Sequence, residues 1–131
     1  MWGSFQKLLD TVKVSLRLRA SRHQLISSNI ANVDTPGYRR KDLPFEKIME
    51  KYITSERSLK TTQKKHFPLR DGNMETLRRE NFFSTLGTPN NVSLEEEMII
   101  LTENQLLYET TLQALSKELE RLKEIITEGG K

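Results

Sequence analysis

The sequence contains no cysteine, which excludes disulfides and thiolate metal sites. It has two histidines, His23 and His66, and neither has carboxylates nearby at the spacing of metal ligands. Phosphate-binding glycine loops and nucleophile motifs are also absent from the sequence. We therefore expect no metal, no cofactor and no catalytic residue. The protein is expected to be structural or to bind a partner, and not to be an enzyme.

Long apolar runs are missing too. No stretch approaches the roughly 20 residues of a membrane span, so we expect no direct membrane insertion. The first ten residues lack the pattern of a cleaved secretory signal. Apolar residues make up 35% of the chain and charged residues 30%, which favours long solvated helices over a thick core. The 131 residues fit a single elongated subunit that completes its folding on assembly.

Charge changes sign along the chain. Residues 1–43 carry a net charge of +5 and residues 92–131 carry −5, which suits mutual packing within one chain or between neighbours. Alternatively, the two segments are solvated surfaces that differ in charge without packing against each other. One alternative is a nucleic-acid-binding helical protein, with phosphate contacts from basic residues: Arg17, Arg19, Arg22, Arg39, Arg40, Lys41, Lys64 and Lys65. Because the acidic end offsets their field, we expect no nucleic-acid partner.

Two periodic segments predict long amphipathic helices at the chain ends, over residues 3–32 and 92–129. Ser93 and Glu96 form a capping box at the start of the second. Its apolar residues follow the 4-3 spacing of a heptad, interrupted by Gln105. The predicted assembly seam comprises Phe5, Leu9, Val12, Leu16 and Ile26 in the first helix and Leu94, Met98, Leu101, Tyr108, Leu112, Leu115, Leu119, Leu122 and Ile126 in the last.

The expected fold is mainly α, with the terminal helices packed as a coiled-coil-like pair or bundle. Residues 33–91 are expected to form a bend and an irregular, partly helical middle region. Residues 98–101 are apolar on all sides of the last helix, so more than one neighbour is needed to cover that level. A generic coiled-coil adaptor is compatible with this layout.

The first helix is expected to stop in a short run that ends in a tight turn. Pro36 and Gly37 suit the two central positions of a type II turn between Thr35 and Tyr38, because proline presets φ and glycine accepts positive φ. Asn29 and Asn32 can cap the helix end. On physical grounds alone this is a helix exit and a rigid bend.

The amino-acid sequence of this segment resembles the N-terminal signature of bacterial flagellar basal-body rod and hook proteins. The resemblance rests on these residues: Ser28, Asn29, Ile30, Ala31, Asn32, Thr35, Pro36, Gly37 and Tyr38. Residues 39–45 and 90–98, and the shortness of the chain, resemble the short proximal member of the rod family. Ser93 departs from the aspartate expected at that position, but both residues cap helices well.

The resemblance implies a structural subunit of the proximal rod. It would assemble through its terminal helices into a tubular axial structure that transmits torque. Its implied partners are other copies of itself, other rod proteins, and export-gate or adaptor proteins at the rod base. Its implied location is the rod within the periplasmic space, reached through a dedicated export apparatus without a cleaved signal. The bend at residues 29–38 would direct the chain outward from the tube.

Overall fold

Two long helices run alongside each other through the computed structural model, which describes residues 2–57 and 84–129. In chain order the elements are α1 (Trp2–Ala31), β1 (Lys41–Asp42), α2 (Phe45–Arg57), β2 (Ser84–Thr85) and α3 (Leu94–Glu128). The predicted fold class, mainly α with the terminal helices packed together, is confirmed. Predictions for residues 58–83 lie outside the described residues.

The helices α1 and α3 are antiparallel. The side chain of Asn29, near the end of α1, contacts Glu97 at the start of α3, whereas Asn104 of α3 contacts the earlier Arg19 of α1. Ser93 caps α3 as expected, with its hydroxyl accepting a hydrogen bond from the backbone of Glu96. Within residues 2–57 and 84–129, the helices are too short or too polar to cross a bilayer.

The heptad of α3 divides into two rows in the structure. One row is half-buried, and its members recur every seven residues: Leu101, Tyr108, Leu115 and Leu122. The other predicted residues are exposed: Leu94, Met98, Leu112, Leu119 and Ile126. The buried positions beside the first row belong instead to the polar residues Glu97 and Asn104. A single partner helix covers only a narrow stripe of α3, so part of the predicted assembly seam is exposed in the single chain, and its role in assembly stays a prediction.

The best-buried apolar core lies between α1 and α2. Its α1 residues are Val14, Leu18 and Leu25, at the four- and seven-residue spacing of one helix face. They pack with Leu43, Phe45, Ile48 and Tyr52. The predicted stripe of α1 is less buried: Phe5, Leu9, Val12 and Leu16 are half-buried, and Ile26 is fully buried. The first helix therefore has two apolar faces, of which the sequence predicts one.

A two-residue strand pair ties the two described parts of the chain together. Lys41 pairs with Thr85 and Asp42 with Ser84 in antiparallel register. This pairing places residues 84–93, which lead into α3, beside the bend.

Candidate functional site: a polar junction at the bend

The bend begins with a tightly capped helix end. The backbone N–H of Asn32 donates to the carbonyls of Ser28 and Asn29, and its side chain donates to the Ser28 carbonyl at 2.7 Å. The Thr35 hydroxyl donates to the side-chain oxygen of Asn32 at 3.2 Å. Since these bonds satisfy carbonyls that the last helical turn leaves free, α1 stops here.

The turn that follows has the features expected of type II. The N–H of Tyr38 donates to the carbonyl of Thr35 at 3.2 Å, and Gly37 has a φ of +77°. A side chain at that φ is strained, which explains the glycine. The turn brings the Tyr38 ring back toward α1, where its hydroxyl lies 3.1 Å from the side-chain oxygen of Asn29.

Asn29 is fully buried and uses its whole hydrogen-bonding capacity. Its amide nitrogen donates to the Lys41 carbonyl at 2.8 Å and to Glu97 Oε2 at 3.0 Å. Its oxygen accepts from the Lys41 N–H at 3.0 Å and from the Tyr38 hydroxyl. An amide has two donors and two acceptor sites, and all four are used. One side chain thus joins α1, the bend, β1 and α3.

Charged groups surround this amide. The buried carboxylate of Glu97 pairs with Arg40 through Oε1 and Nε. The guanidinium of Arg22 binds both carboxylate oxygens of Asp42, at 2.9 and 3.0 Å. Arg40 also lies 3.8 Å from Asp42, so the two ion pairs form one network. The hydrogen bond to Asp42 raises the pKa of Arg22, which keeps this guanidinium charged. We call Arg22, Asn29, Tyr38, Arg40, Asp42 and Glu97 the polar junction.

Two asparagines just before α3 hold the bend from the other side. Asn90 accepts from the N–H of Gly37 through its side chain at 2.9 Å and donates its own N–H to the Tyr38 carbonyl at 2.8 Å. Its φ of 62° is tolerated by asparagine better than by most residues. Asn91 accepts from the N–H of Arg40 at 3.0 Å and donates to the Leu86 carbonyl at 2.6 Å. The bend is therefore docked onto the entry to α3.

The signature residues occupy different environments. Asn29 is buried, Ile30, Asn32 and Tyr38 are half-buried, and the rest are exposed: Ser28, Ala31, Thr35, Pro36 and Gly37. After the bend the chain continues through β1 into α2, which packs on a face of α1 other than the predicted stripe. Its direction relative to a tube stays a prediction. The reason is that α2 buries its apolar residues against Val14 and Leu18.

The ionic part of this site is not evident from the sequence. Arg22 and Arg40 had been counted toward nucleic-acid binding, but carboxylates neutralise both in the structure. Residues 39–45 and 90–98 stand out in the sequence only by their resemblance to a known family. Their separation along the chain does not indicate that they contact each other. Within the described ranges, no group of three or more acidic or histidine side chains is arranged to hold a metal ion.

Comparison with known proteins gives one consistent result. A family model described as "Flagella basal body rod protein" matches residues 16–39, the second half of α1 and the bend. The chain is 32% identical over 121 residues to the flagellar basal body rod protein FlgB of Aeromonas hydrophila, covering 91% of this chain and 92% of that one. It is 29% identical to FlgB of Escherichia coli, covering 88% and 89%, and 27% identical to FlgB of Bacillus subtilis, covering 97% and 98%.

Proposed function

Because the chain belongs to the flagellar basal body rod protein family, we propose that its two long helices build it into the proximal rod and carry torque along the rod axis. The protein is a structural subunit of the flagellar basal body. It assembles with other components of that body, which include further rod subunits. The finer assignments below concern how it assembles and what it contacts.

The exposed apolar surface of α3 is the observation that carries the proposal. On the sides of α3 away from α1, the exposed fraction reaches 55% for Met98, 68% for Ile99 and 63% for Leu106. The same holds at the far end, where Ile126 is 70% exposed. A helix with apolar residues on several sides is stable in water only when neighbours cover it. In a rod, those neighbours are adjacent subunits.

The polar junction has a geometric role in this proposal. It fixes the angle between the signature bend and the start of α3, so each subunit presents the same surface to its neighbours. We propose no catalytic role for any of its residues. The partners are other copies of the chain, other rod subunits, and export-gate or adaptor proteins at the rod base. The site of assembly is the part of the rod that lies in the periplasmic space.

The test introduces charge into the exposed apolar surface without touching the α1–α3 contact. The double variant Leu106→Asp and Leu112→Asp places two carboxylates on exposed positions of α3. We expect the purified variant to keep its helical circular dichroism. Cells carrying it should lose swimming, and their isolated basal bodies should lack the protein, because burying an unpaired carboxylate at an interface costs several kcal/mol.

Thr127→Asp is the matched control. Thr127 is exposed on the same helix, and its hydroxyl bonds the carbonyls of Lys123 and Glu124, on a side of α3 that also carries Glu120. This variant should assemble and swim normally. If the double variant swims as well as the control, the exposed apolar surface is not an assembly surface and the proposal fails.

A further inference from the structure

One side of α3 carries a regular row of exposed residues. Steps of four and three residues, the spacing of a single helix face, connect its members, which we call the α3 row: Glu95, Ile99, Thr102, Leu106 and Glu109. Ile99 is 68% exposed and Leu106 is 63% exposed. The row therefore has large apolar side chains in its middle and a carboxylate at each end.

The charge around the α3 row is of one sign. Between Leu94 and Ser116, α3 has five glutamates and no lysine or arginine. One of them, Glu97, is buried and paired with Arg40 inside the chain. The others are exposed, and among residues 2–57 and 84–129 none of them has a salt-bridge partner: Glu95, Glu96, Glu103 and Glu109. A helix that covers the α3 row must therefore bring positive charge.

The helix α1 has the complementary character. It contains five lysines and arginines and a single acidic residue, Asp10. One side of it carries small or polar residues at the same steps of four and three, which we call the α1 row: Lys13, Arg17, Ala20, Gln24, Ser27 and Ala31. All of these are exposed except Arg17, which is half-buried. Small side chains allow a second helix to approach closely, and its large side chains fill the space above them.

The two rows match in size when they run antiparallel. In the single chain, α1 and α3 are aligned so that Asn29 contacts Glu97. A second α3 laid against the α1 row with this same alignment places Ile99 opposite Ser27. Seven residues further along α3, Leu106 lies opposite Ala20. Each large apolar side chain thus faces a small one.

The charges match in the same alignment. Glu109 lies opposite Arg17, and the exposed Lys13 follows one helical turn later. A turn is about 5.4 Å long, so the side chain of Glu109 can reach both cations. A shift of the second helix along the axis would separate these charges and also move the large side chains off the small ones. Size and charge therefore select one register.

We propose that the α3 row packs against the α1 row of a second copy of this chain. The contact is heterologous, because it uses a different surface of each partner. Each copy keeps one row for a further neighbour, which leads to a ring or an open helical array. In the assembly, α1 lies between its own α3 and the α3 of the next copy. The inference rests on the proposed function and names the surfaces through which copies join.

The absence of native cysteine permits a direct test in isolated basal bodies. Ala20→Cys and Leu106→Cys are combined in one chain, which is expressed beside the unaltered chain and oxidised mildly after assembly. We expect a ladder of covalent multimers, because one disulfide joins each copy to the next. Co-expression of the two single variants should give dimers and nothing larger, since each copy then carries one thiol. Leu106 lies on a side of α3 away from its own α1, and the width of a helix, about 10 Å, exceeds the roughly 7 Å that a disulfide spans.

Ala31→Cys with Leu106→Cys is the control for register. Ala31 is exposed in the same α1 row, but it lies eleven residues from Ala20, about 16 Å along the axis. An equal ladder from this control, no ladder from the Ala20–Leu106 pair, or cross-links to a different basal-body protein in place of the ladder would overturn the inference. Absence of the unaltered chain from basal bodies would overturn the proposed function instead, so the two failures are distinguishable.

Charge reversal tests the same contact without a thiol. Glu109→Lys places a cation opposite Arg17, and we expect about a tenfold loss of the protein from basal bodies with a matching loss of swimming. Adding Lys13→Glu should restore at least half of the lost protein, because it returns an opposite charge one turn away. Circular dichroism of the purified variants should be unchanged, since Lys13 and Glu109 are exposed.

Two exposed charges outside the rows are the matched controls. Glu118 is nine residues from Glu109, which is two and a half turns, so it lies on the opposite side of α3 and Glu118→Lys should assemble normally. Lys7 lies about 120° from Lys13 around α1, so Lys7→Glu should not rescue Glu109→Lys. Normal assembly of Glu109→Lys, or equal rescue by Lys7→Glu, would refute the proposed contact.

Discussion

Replacing Asn29 by aspartate tests whether the polar junction depends on the amide donor itself. The two side chains have nearly the same shape, so the change creates no cavity. In the variant, however, an oxygen replaces the nitrogen that donates to the Lys41 carbonyl at 2.8 Å and to Glu97 Oε2 at 3.0 Å. Two hydrogen bonds become oxygen–oxygen contacts in a place fully closed to water.

The expected loss of stability follows from those two contacts. A hydrogen bond to a charged group contributes about 1.5–3 kcal/mol and a neutral one about 1 kcal/mol. The new carboxylate must also either carry a charge beside Glu97 or stay protonated, and both states add a cost. We expect the free energy of unfolding to fall by about 3–5 kcal/mol, a large part of the roughly 5–15 kcal/mol typical of a domain. Urea unfolding of the purified chain, followed by circular dichroism, measures it.

A second substitution should restore part of the loss. When Glu97→Gln is combined with Asn29→Asp, the new amide at position 97 can donate a hydrogen bond to the carboxylate introduced at position 29. We expect a favourable coupling of about 1–3 kcal/mol between the two changes in a double-mutant cycle.

Asn32→Asp is the control, because Asn32 is half-buried and bonds only within the bend. It should cost about 1 kcal/mol. An Asn29→Asp variant no less stable than this control, or a double variant without favourable coupling, would show that the junction does not hold the helices together.

Two further substitutions test the loop before α3 and the α1–α2 core. Gly87→Ala should destabilise the chain by about 1–3 kcal/mol in urea unfolding, because Gly87 has a φ of +70° and an added Cβ would lie 2.5 Å from the Asn91 amide nitrogen. Gly3→Ala, with open space around it, should be neutral or slightly stabilising, and equal effects would contradict this argument. Leu18→Ala should cost about 2–5 kcal/mol, since Leu18 is fully buried, whereas Leu119→Ala at an exposed site should cost under about 1 kcal/mol; similar losses would mean that the core lies elsewhere.

The features that could be predicted from the sequence are local ones. Helix periodicity, the Ser93 cap and the Thr35–Tyr38 turn each depend on residues within one or two turns of each other. The turn's hydrogen bond and the positive φ of Gly37 follow from the proline and glycine alone. Local chemistry therefore places the helices and the bend without knowledge of the tertiary structure.

The features that could not be predicted depend on distant partners. Asn29 and Glu97 are 68 residues apart, and neither one's surroundings indicate the other. The heptad spacing also favours leucine and methionine at the contact with α1, but the structure places Glu97 and Asn104 there. A polar residue can occupy such a position when the facing element supplies its partners, and a periodicity argument does not contain that information.

The polar junction determines geometry more than it contributes stability. Buried ion pairs lose most of their Coulomb energy to desolvation, and apolar packing of the same volume often stabilises as well. Asn29 and Glu97, however, accept only one arrangement of donors and acceptors, whereas apolar side chains could slide along α1. Past Asn104, α3 meets α1 through half-buried residues such as Leu115 and Leu122, which hold it less strictly. One end of the helix pair is thus set by hydrogen bonds, while the other end leaves apolar residues such as Ile125 and Ile126 exposed.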